Sequence, residues 1–315
     1  MRALALAGLL AISATAALAS QPVAKVQLPC ESADQDLSPT GKQLAVACKD
    51  HSVYLVDVSG GAQRKVLSPD HRPNTYVYSH DGRWLAAGFS DGTVEVFSTH
   101  DGASSQQWKG GQKRIDTLYF FPDGKKLFVA SVDSPGTVWD LTSTPSLLAT
   151  LPVEFGGIST VAVSPDGKLL VLAGGDTVLR WYDTATWQKT REYRDFLLET
   201  FALAFTPDGK SVLAGGADAR VTVFDAASGR QVRQLPPEAG SSIFEIDLLG
   251  DPNRALAVYF ENAGGKPPHA LEWDLATAKS TLLKLDPPPT CGSIVDGKLL
   301  VCSVDGKTLT IAQQE

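Results

Sequence analysis

Seven short turns, each lying between two apolar segments, recur along the chain at an interval of about forty-two residues. They are Ser38-Pro39-Thr40-Gly41-Lys42, Ser79-His80-Asp81-Gly82-Arg83, Pro122-Asp123-Gly124-Lys125, Ser164-Pro165-Asp166-Gly167-Lys168, Thr206-Pro207-Asp208-Gly209-Lys210, Asp251-Pro252-Asn253-Arg254 and Asp296-Gly297-Lys298. Their anchors at 41, 82, 124, 167, 209, 253 and 297 are 41, 42, 43, 42, 44 and 44 apart. Six anchors are glycine. The seventh, Asn253, is the side-chain-bearing type that best tolerates the left-handed backbone, so all seven are expected to turn the chain in the same way. A fixed period of this length describes one supersecondary unit that buries its apolar faces only against its neighbours.

Each unit reads as four strands, here lettered a to d. In the fourth, Ser159–Val163 is a, Leu169–Ala173 is b, Val178–Tyr182 is c and Trp187–Tyr193 is d. Strand b is almost wholly apolar, as in Leu44-Ala45-Val46-Ala47 and Trp84-Leu85-Ala86-Ala87, which requires burial on both faces. Strand d mixes in polar residues, as in Arg230-Gln231-Val232-Arg233-Gln234-Leu235, and suits an outer edge in water. The expected fold is all-β, a seven-bladed β-propeller of four-stranded antiparallel blades. The last repeat supplies only a, b and c, while Val23–Leu28 is a strand left over near the start. Placing that strand as d of blade seven closes the ring and removes two bare edges.

The first nineteen residues stand apart. Arg2, the apolar run Ala3–Ile12 and Ala17-Leu18-Ala19 before Ser20 have the layout of a cleaved secretory signal peptide. The apolar run is shorter than the roughly 20 residues of a membrane span. Leu28-Pro29-Cys30 lies too far beyond it to serve as a lipoprotein cysteine. Residues 20–315 are then a single propeller domain, periplasmic or secreted, with no stable membrane insertion. An even count of four cysteines in an oxidising compartment suggests disulfides. Counting outward from the Asp296-Gly297 turn pairs 295 with 298, 294 with 299 and 291 with 302, so Cys291 and Cys302 face each other across two strands. Cys30 and Cys48 fall near the same end of the first blade and form the other expected bridge.

Strand c ends in an apolar or aromatic residue followed by aspartate in Val56-Asp57, Trp139-Asp140, Tyr182-Asp183, Phe224-Asp225 and Trp273-Asp274. The b–c turns carry Asp50, Asp91, Asp133, Asp176, Asp218 and Asp305. On these features residues 22–315 resemble the WD-repeat (WD40/YVTN-like) β-propeller family, particularly its exported bacterial members with Ser-Pro-Asp-Gly-Lys turns. The resemblance implies that the turn aspartates are structural braces. It covers nearly the whole chain, but its motifs specify the fold and not an activity. The family's Gly-His pair before strand a is missing, which shifts more of the stability onto packing.

Searching for chemistry returns little. The turn aspartates recur because the turn recurs, and none of these loops has the oxygen spacing of a calcium loop. His51, His71 and His269 fall in connections at one end of the ring, and His80 and His100 at the other, without metal-ligand spacing. Gly110-Gly111 and Gly156-Gly157 read as turns rather than phosphate cradles. A formal charge of −7 argues against a nucleic-acid partner. No cofactor, metal or catalytic residue is expected. The d–a connections are rich in charged and aromatic groups, and His71, Arg72, Lys113, Arg114, Phe155, Arg194 and Phe196 are the candidate binding residues, Phe155 and Phe196 because no core is evident for them to join. The expectation is an exported monomer that binds a protein partner through this annulus. The alternative is a lactonase-like or quinoprotein-like enzyme, or a small-molecule binder, using the channel mouth. For that the strand a starts offer only Ile115, Ser159 and Phe201.

Overall fold

The computed structural model describes residues 21–68, 70, 72–131, 133–196, 198–261, 269–283, 291–295, 298–305 and 307–313. The expected leader lies outside these residues. Among the described residues, no helix is long and apolar enough to cross a membrane.

Blade 1 comprises Ser32–Leu37, Gln43–Cys48, Val53–Asp57 and Gln63–Leu67, paired antiparallel in chain order. The a strands of blades 2 to 7 are Pro73–Tyr78, Ile115–Phe120, Ile158–Val163, Thr200–Phe205, Ser241–Leu248 and Cys291–Val295. Each heads a four-stranded sheet, giving seven blades. The a strands of blades 2 to 6 touch in succession, as do those of blades 7 and 1, so the a strands form the inner ring around the channel. The middle of strand b is buried in the blades where its side chains are described, with Leu44, Ala45, Val46, Leu85, Ala86, Ala87, Leu170, Val171 and Leu172 all sealed from solvent. The core is divided into wedges between blades. One wedge joins Leu213, Val221 and Ala202 of blade 5 to Ile243, Tyr259 and Trp273 of blade 6. Another joins Phe128 and Val138 of blade 3 to Leu170 and Tyr182 of blade 4. A full leucine or phenylalanine buried there contributes about 1.5–3 kcal/mol, and neither blade could bury it alone.

Closure follows the expected route. Gln21–Gln27 pairs with Thr308–Gln313, so the seventh sheet takes its outer strand from the other end of the chain. Val26 lies opposite Leu309, and the Leu28 amide donates to the Lys307 carbonyl at 2.7 Å. Val26, Leu28, Leu309 and Ile311 pack against Leu37, Leu44 and Val56 of blade 1. The Cys30–Cys48 disulfide then fastens the incoming chain to strand b of blade 1, with Cα atoms 5.8 Å apart. In blade 7 the backbone register sets Cys291 opposite Cys302, as counted. The side chains of that second expected bridge lie outside the described residues.

The a–b turns show why Ser-Pro-Asp-Gly-Lys recurs. In blade 4, Ser164 Oγ donates to Asp166 Oδ1 at 2.7 Å and accepts from the Leu169 amide at 2.9 Å. Asp166 Oδ1 also accepts from the Lys168 amide at 3.1 Å, while Gly167 takes φ 72°. Ser79/Asp81 and Thr206/Asp208 repeat the arrangement. The seventh anchor behaves otherwise where it can be followed: Asn253 is not left-handed, and Gly250 (φ 78°) takes the positive φ in blade 6. An Arg254 amide to Asp251 carbonyl bond at 3.0 Å closes that turn three residues later. Gly297 lies outside the described residues. Strand d of blade 4 is also shorter than expected, Lys189–Tyr193, because Trp187 sits in the c–d turn at φ 57° with its ring on Phe121.

The closure contact predicts its own test. Val26→Asp places an uncompensated charge in the blade 7–blade 1 wedge and should lower unfolding free energy by about 3–5 kcal/mol in urea titration. A loss under about 1 kcal/mol would mean that the terminal strand does not seal the ring.

Candidate functional site

The d–a and b–c connections share one end of the ring and dock through bare backbone. The Gly110 and Gly111 amides donate to the Gly92 carbonyl at 3.0 and 3.1 Å. A Cβ on Gly92 would overlap the Gly111 carbonyl oxygen, so glycine there is a packing requirement rather than an anion cradle. Four of the six b–c aspartates are turn braces, and the side chain of Asp305 lies outside the described residues. Asp50, Asp91, Asp176 and Asp218 each accept from the amide two residues on, that of Ser52, Thr93, Val178 and Arg220 respectively.

Most of the candidate binding residues are placed at this end, with a qualification. His71 lies outside the described residues. Arg72 is exposed just before strand a of blade 2. Lys113 approaches Asp133 at 3.9 Å, Arg114 pairs with Asp116 at 2.7 Å, and Arg194 pairs with Glu154 at 2.5 Å and Glu192 at 2.7 Å. Three of the four rim cations are therefore already neutralised by neighbours. Phe155 is 65% exposed. Phe196 corrects the expectation that it lacks a core: its ring lies 5.3 Å from Tyr193 and 6.0 Å from Phe224, against the blade 4–blade 5 wedge.

Beneath Glu154 lies a charge pair that sequence reasoning missed. Arg180 and Asp176, almost fully buried, make a bidentate contact at 3.0 and 2.5 Å. Burial pushes the Asp176 carboxyl up, but Arg180 and the Glu154 and Val178 amides outweigh it and hold the group below its usual range. Arg180 also lines a cleft of about 330 Å³ with Thr150, Glu154, Tyr182, Trp187 and Lys189. The one sequence signal was a lone cation inside Val178-Leu179-Arg180-Trp181-Tyr182.

The channel mouth differs most from expectation. In six blades the a–b register slips by one residue at the start of strand a, leaving Ala33, Asn74, Asp116, Ser159, Phe201 and Phe244 as bulged positions. A bulge re-aims its side chain, and all six are exposed or half-exposed. Ile115, just before its bulge, is instead fully buried. The set is thus richer than Ile115, Ser159 and Phe201 alone. Phe201 and Phe244 stack in parallel across blades 5 and 6, 4.8 Å apart with 8° between planes.

One residue beyond the bulge stand Asp34 in blade 1 and Glu245 in blade 6, and two further along stand Asp36 and Asp247. Asp34 accepts from Tyr76 Oη at 2.9 Å. Loss of water among the inner strands, reinforced by Asp34 and Asp247, pushes the Asp36 carboxyl up to about 7. Glu245 and Asp247 share a hydrogen bond and are both pushed up, chiefly by the same loss of water. The inner strands of blades 1 and 6 are thus acidic, and blades 5 and 6 carry an exposed aromatic stack.

Comparison with known proteins agrees with the architecture. The family model described as WD domain, G-beta repeat matches residues 66–98, 145–183 and 200–225, so the chain carries WD40 repeats. An uncharacterized WD repeat-containing protein of Synechocystis sp. is 30% identical over 140 residues, 43% of this chain and 39% of that protein. The target of rapamycin complex subunit wat1 of Schizosaccharomyces pombe is 31% identical over 140 residues, 43% of each. The chain thus spans less than half the length of either relative. A chain in the crystal structure of the mitotic checkpoint complex superposes over 99% of this chain and 98% of its own with TM-score 0.77 at 18% identity, a likeness of fold.

Two outcomes follow. Asp36 holds its proton to higher pH in the folded than in the unfolded chain, so its contribution to stability is lost as pH rises from about 4 to about 7. The melting temperature should carry a falling contribution from Asp36 between about pH 4 and pH 7, and Asp36→Asn should remove it; an unchanged slope over that range in the variant would exclude Asp36 as its source. Arg180→Met, which strands the Asp176 charge, should cost about 3–5 kcal/mol by chemical denaturation.

Proposed function

We propose that the protein is an exported, non-enzymatic WD-repeat scaffold that binds another protein at the d–a end of its ring, in the periplasm or outside the cell. The observation that carries this reading is where exposed apolar bulk lies among the described residues. Val23, Leu147, Leu148, Val232 and Leu282 lie on outer strands, where scattered exposure is ordinary. The remaining three, Phe155, Leu198 and Phe244, all lie at the d–a end. Aromatic groups among charged ones on rigidly held loops are the usual composition of a protein-binding surface. Two similar proteins, a target of rapamycin complex subunit and a chain of the mitotic checkpoint complex, are named for assemblies, which supports a scaffold over a catalyst. Export rests on the leader-like first nineteen residues and on the Cys30–Cys48 bridge.

Phe155→Ser combined with Leu198→Ser should reduce partner capture from envelope extract by about thirtyfold, the scale of a lost hot spot, with melting temperature unchanged. Undiminished capture would refute this surface. Amino-terminal sequencing of protein from the periplasmic fraction should begin at Ser20; a start at Met1 would refute cleavage.

A further inference from the structure

We infer that the cleft between blades 3 and 4, on the side of the ring, binds a small organic acid that carries one carboxylate and an aromatic ring. The site goes beyond the scaffold reading and does not depend on partner capture at the d–a end.

One wall of the cleft includes Thr150 and Glu154, and the other includes Arg180, Tyr182, Trp187 and Lys189. Thr150 belongs to the outer strand of blade 3, Ser146–Leu151, and Arg180 and Tyr182 to strand c of blade 4, Leu179–Asp183. The volume of about 330 Å³ stands at the lower end of small-molecule sites, which span roughly 300–1,000 Å³.

Trp187 is the first support. Its amide closes the c–d turn of blade 4 by donating to the Asp183 carbonyl at 2.7 Å, and its φ is 57°. The residue that makes the same closure is Gly61 in blade 1, Gly102 in blade 2 and Gly229 in blade 5. Blade 6 departs from glycine only as far as Ala278. A left-handed backbone is adverse for a bulky side chain, yet blade 4 sets an indole there. The ring meets Phe121 at 5.9 Å but stays half-buried and lines the cleft. Strain of this kind persists where the surroundings compensate for it, and it collects at ligand sites.

Arg180 is an independent support. Its side chain is 3% exposed, and Nη1 and Nη2 donate to the two Asp176 oxygens at 3.0 and 2.5 Å. Nη1 also donates to the Val178 carbonyl at 3.3 Å. These bonds occupy the far end of the guanidinium. The side edge, formed by Nε–H and the second Nη2–H, has no acceptor within hydrogen-bond distance among the described residues. Glu154, on the facing wall, stands 3.9 Å from Nη2, which turns this edge to the cleft. A guanidinium edge matches two carboxylate oxygens, so a ligand carboxylate completes the donors left open.

Charge balance limits that ligand to one negative charge. Asp176 already faces Arg180, so a second carboxylate needs a second cation. Lys189 supplies it from the same wall, because its partner Glu192 is shared with Arg194. Glu154 is held by Arg194 at 2.5 Å but lies too near for a doubly charged phosphate. Trp187 and Tyr182 then offer ring surface to the apolar part of the acid.

The test titrates the full chain with phenylpropionate, phenylpropionamide and propionate by calorimetry at neutral pH. The aromatic acid should bind about tenfold tighter than its amide, which lacks the charge, and about tenfold tighter than propionate, which lacks the ring. Trp187→Gly gives blade 4 the turn residue of blades 1, 2 and 5. It should weaken binding of the acid about tenfold while the chain still unfolds cooperatively. Lys189→Gln, on the exposed outer strand, should erase most of the preference for acid over amide. No saturable binding of the acid below about 10 mM, equal affinity for acid and amide, or full affinity in both variants would overturn the inference. A Trp187→Gly chain that melts lower yet binds the acid as before would make the indole a packing residue and overturn it as well.

Discussion

The ring depends on one backbone pairing, that of Gln21–Gln27 with Thr308–Gln313. Without it, strand c of blade 7 would present an open edge, and Leu309 and Ile311 would lose the side chains that cover them. Strand a of blade 1 also touches strand a of blade 7, so this pairing and the direct contact between the first and last blades together make the array circular rather than a ribbon. The Cys30–Cys48 bridge lies directly after this strand, where a covalent tie resists fraying of the closure seam.

Closure in turn gives the inner strands their unusual setting. Seven a strands brought around one axis leave little room for water, and a carboxylate there is crowded by protein even while open to the channel. That is why Asp36 is pushed upward while turn carboxylates such as Asp91, which accept from Lys109 and Thr93, are held low. The same residue type serves opposite ends electrostatically: brace at the turns, stored negative charge at the axis. The bulge at the head of strand a adds to this by turning Phe244 outward beside Glu245.

Much of the fold could be read from spacing because repetition averages out local ambiguity. The Cys291–Cys302 register, the orphan strand and the blade count all came from counting along turns. Asn253 marks where counting fails: a side chain suited to a left-handed turn occupied the expected place, yet Gly250 carried the conformation. Phe196 marks another, since only the wedge between blades 4 and 5 reveals the aromatic cluster that it joins.

The functional site was far less legible. The d–a loops announced themselves by composition, but Arg114 and Arg194 looked available until their acidic neighbours were seen in space. Phe201 and Phe244 lie one repeat apart, and nothing local indicates that blades 5 and 6 stack their rings at the channel mouth. Periodicity and turn chemistry, which act within a few residues, are enough for the sequence alone to determine the repeat, the strand order and the closure. Which side chains meet at the axis was decided by the tertiary structure, because that depends on how seven blades, each slipped by a bulge or not, converge around a common centre.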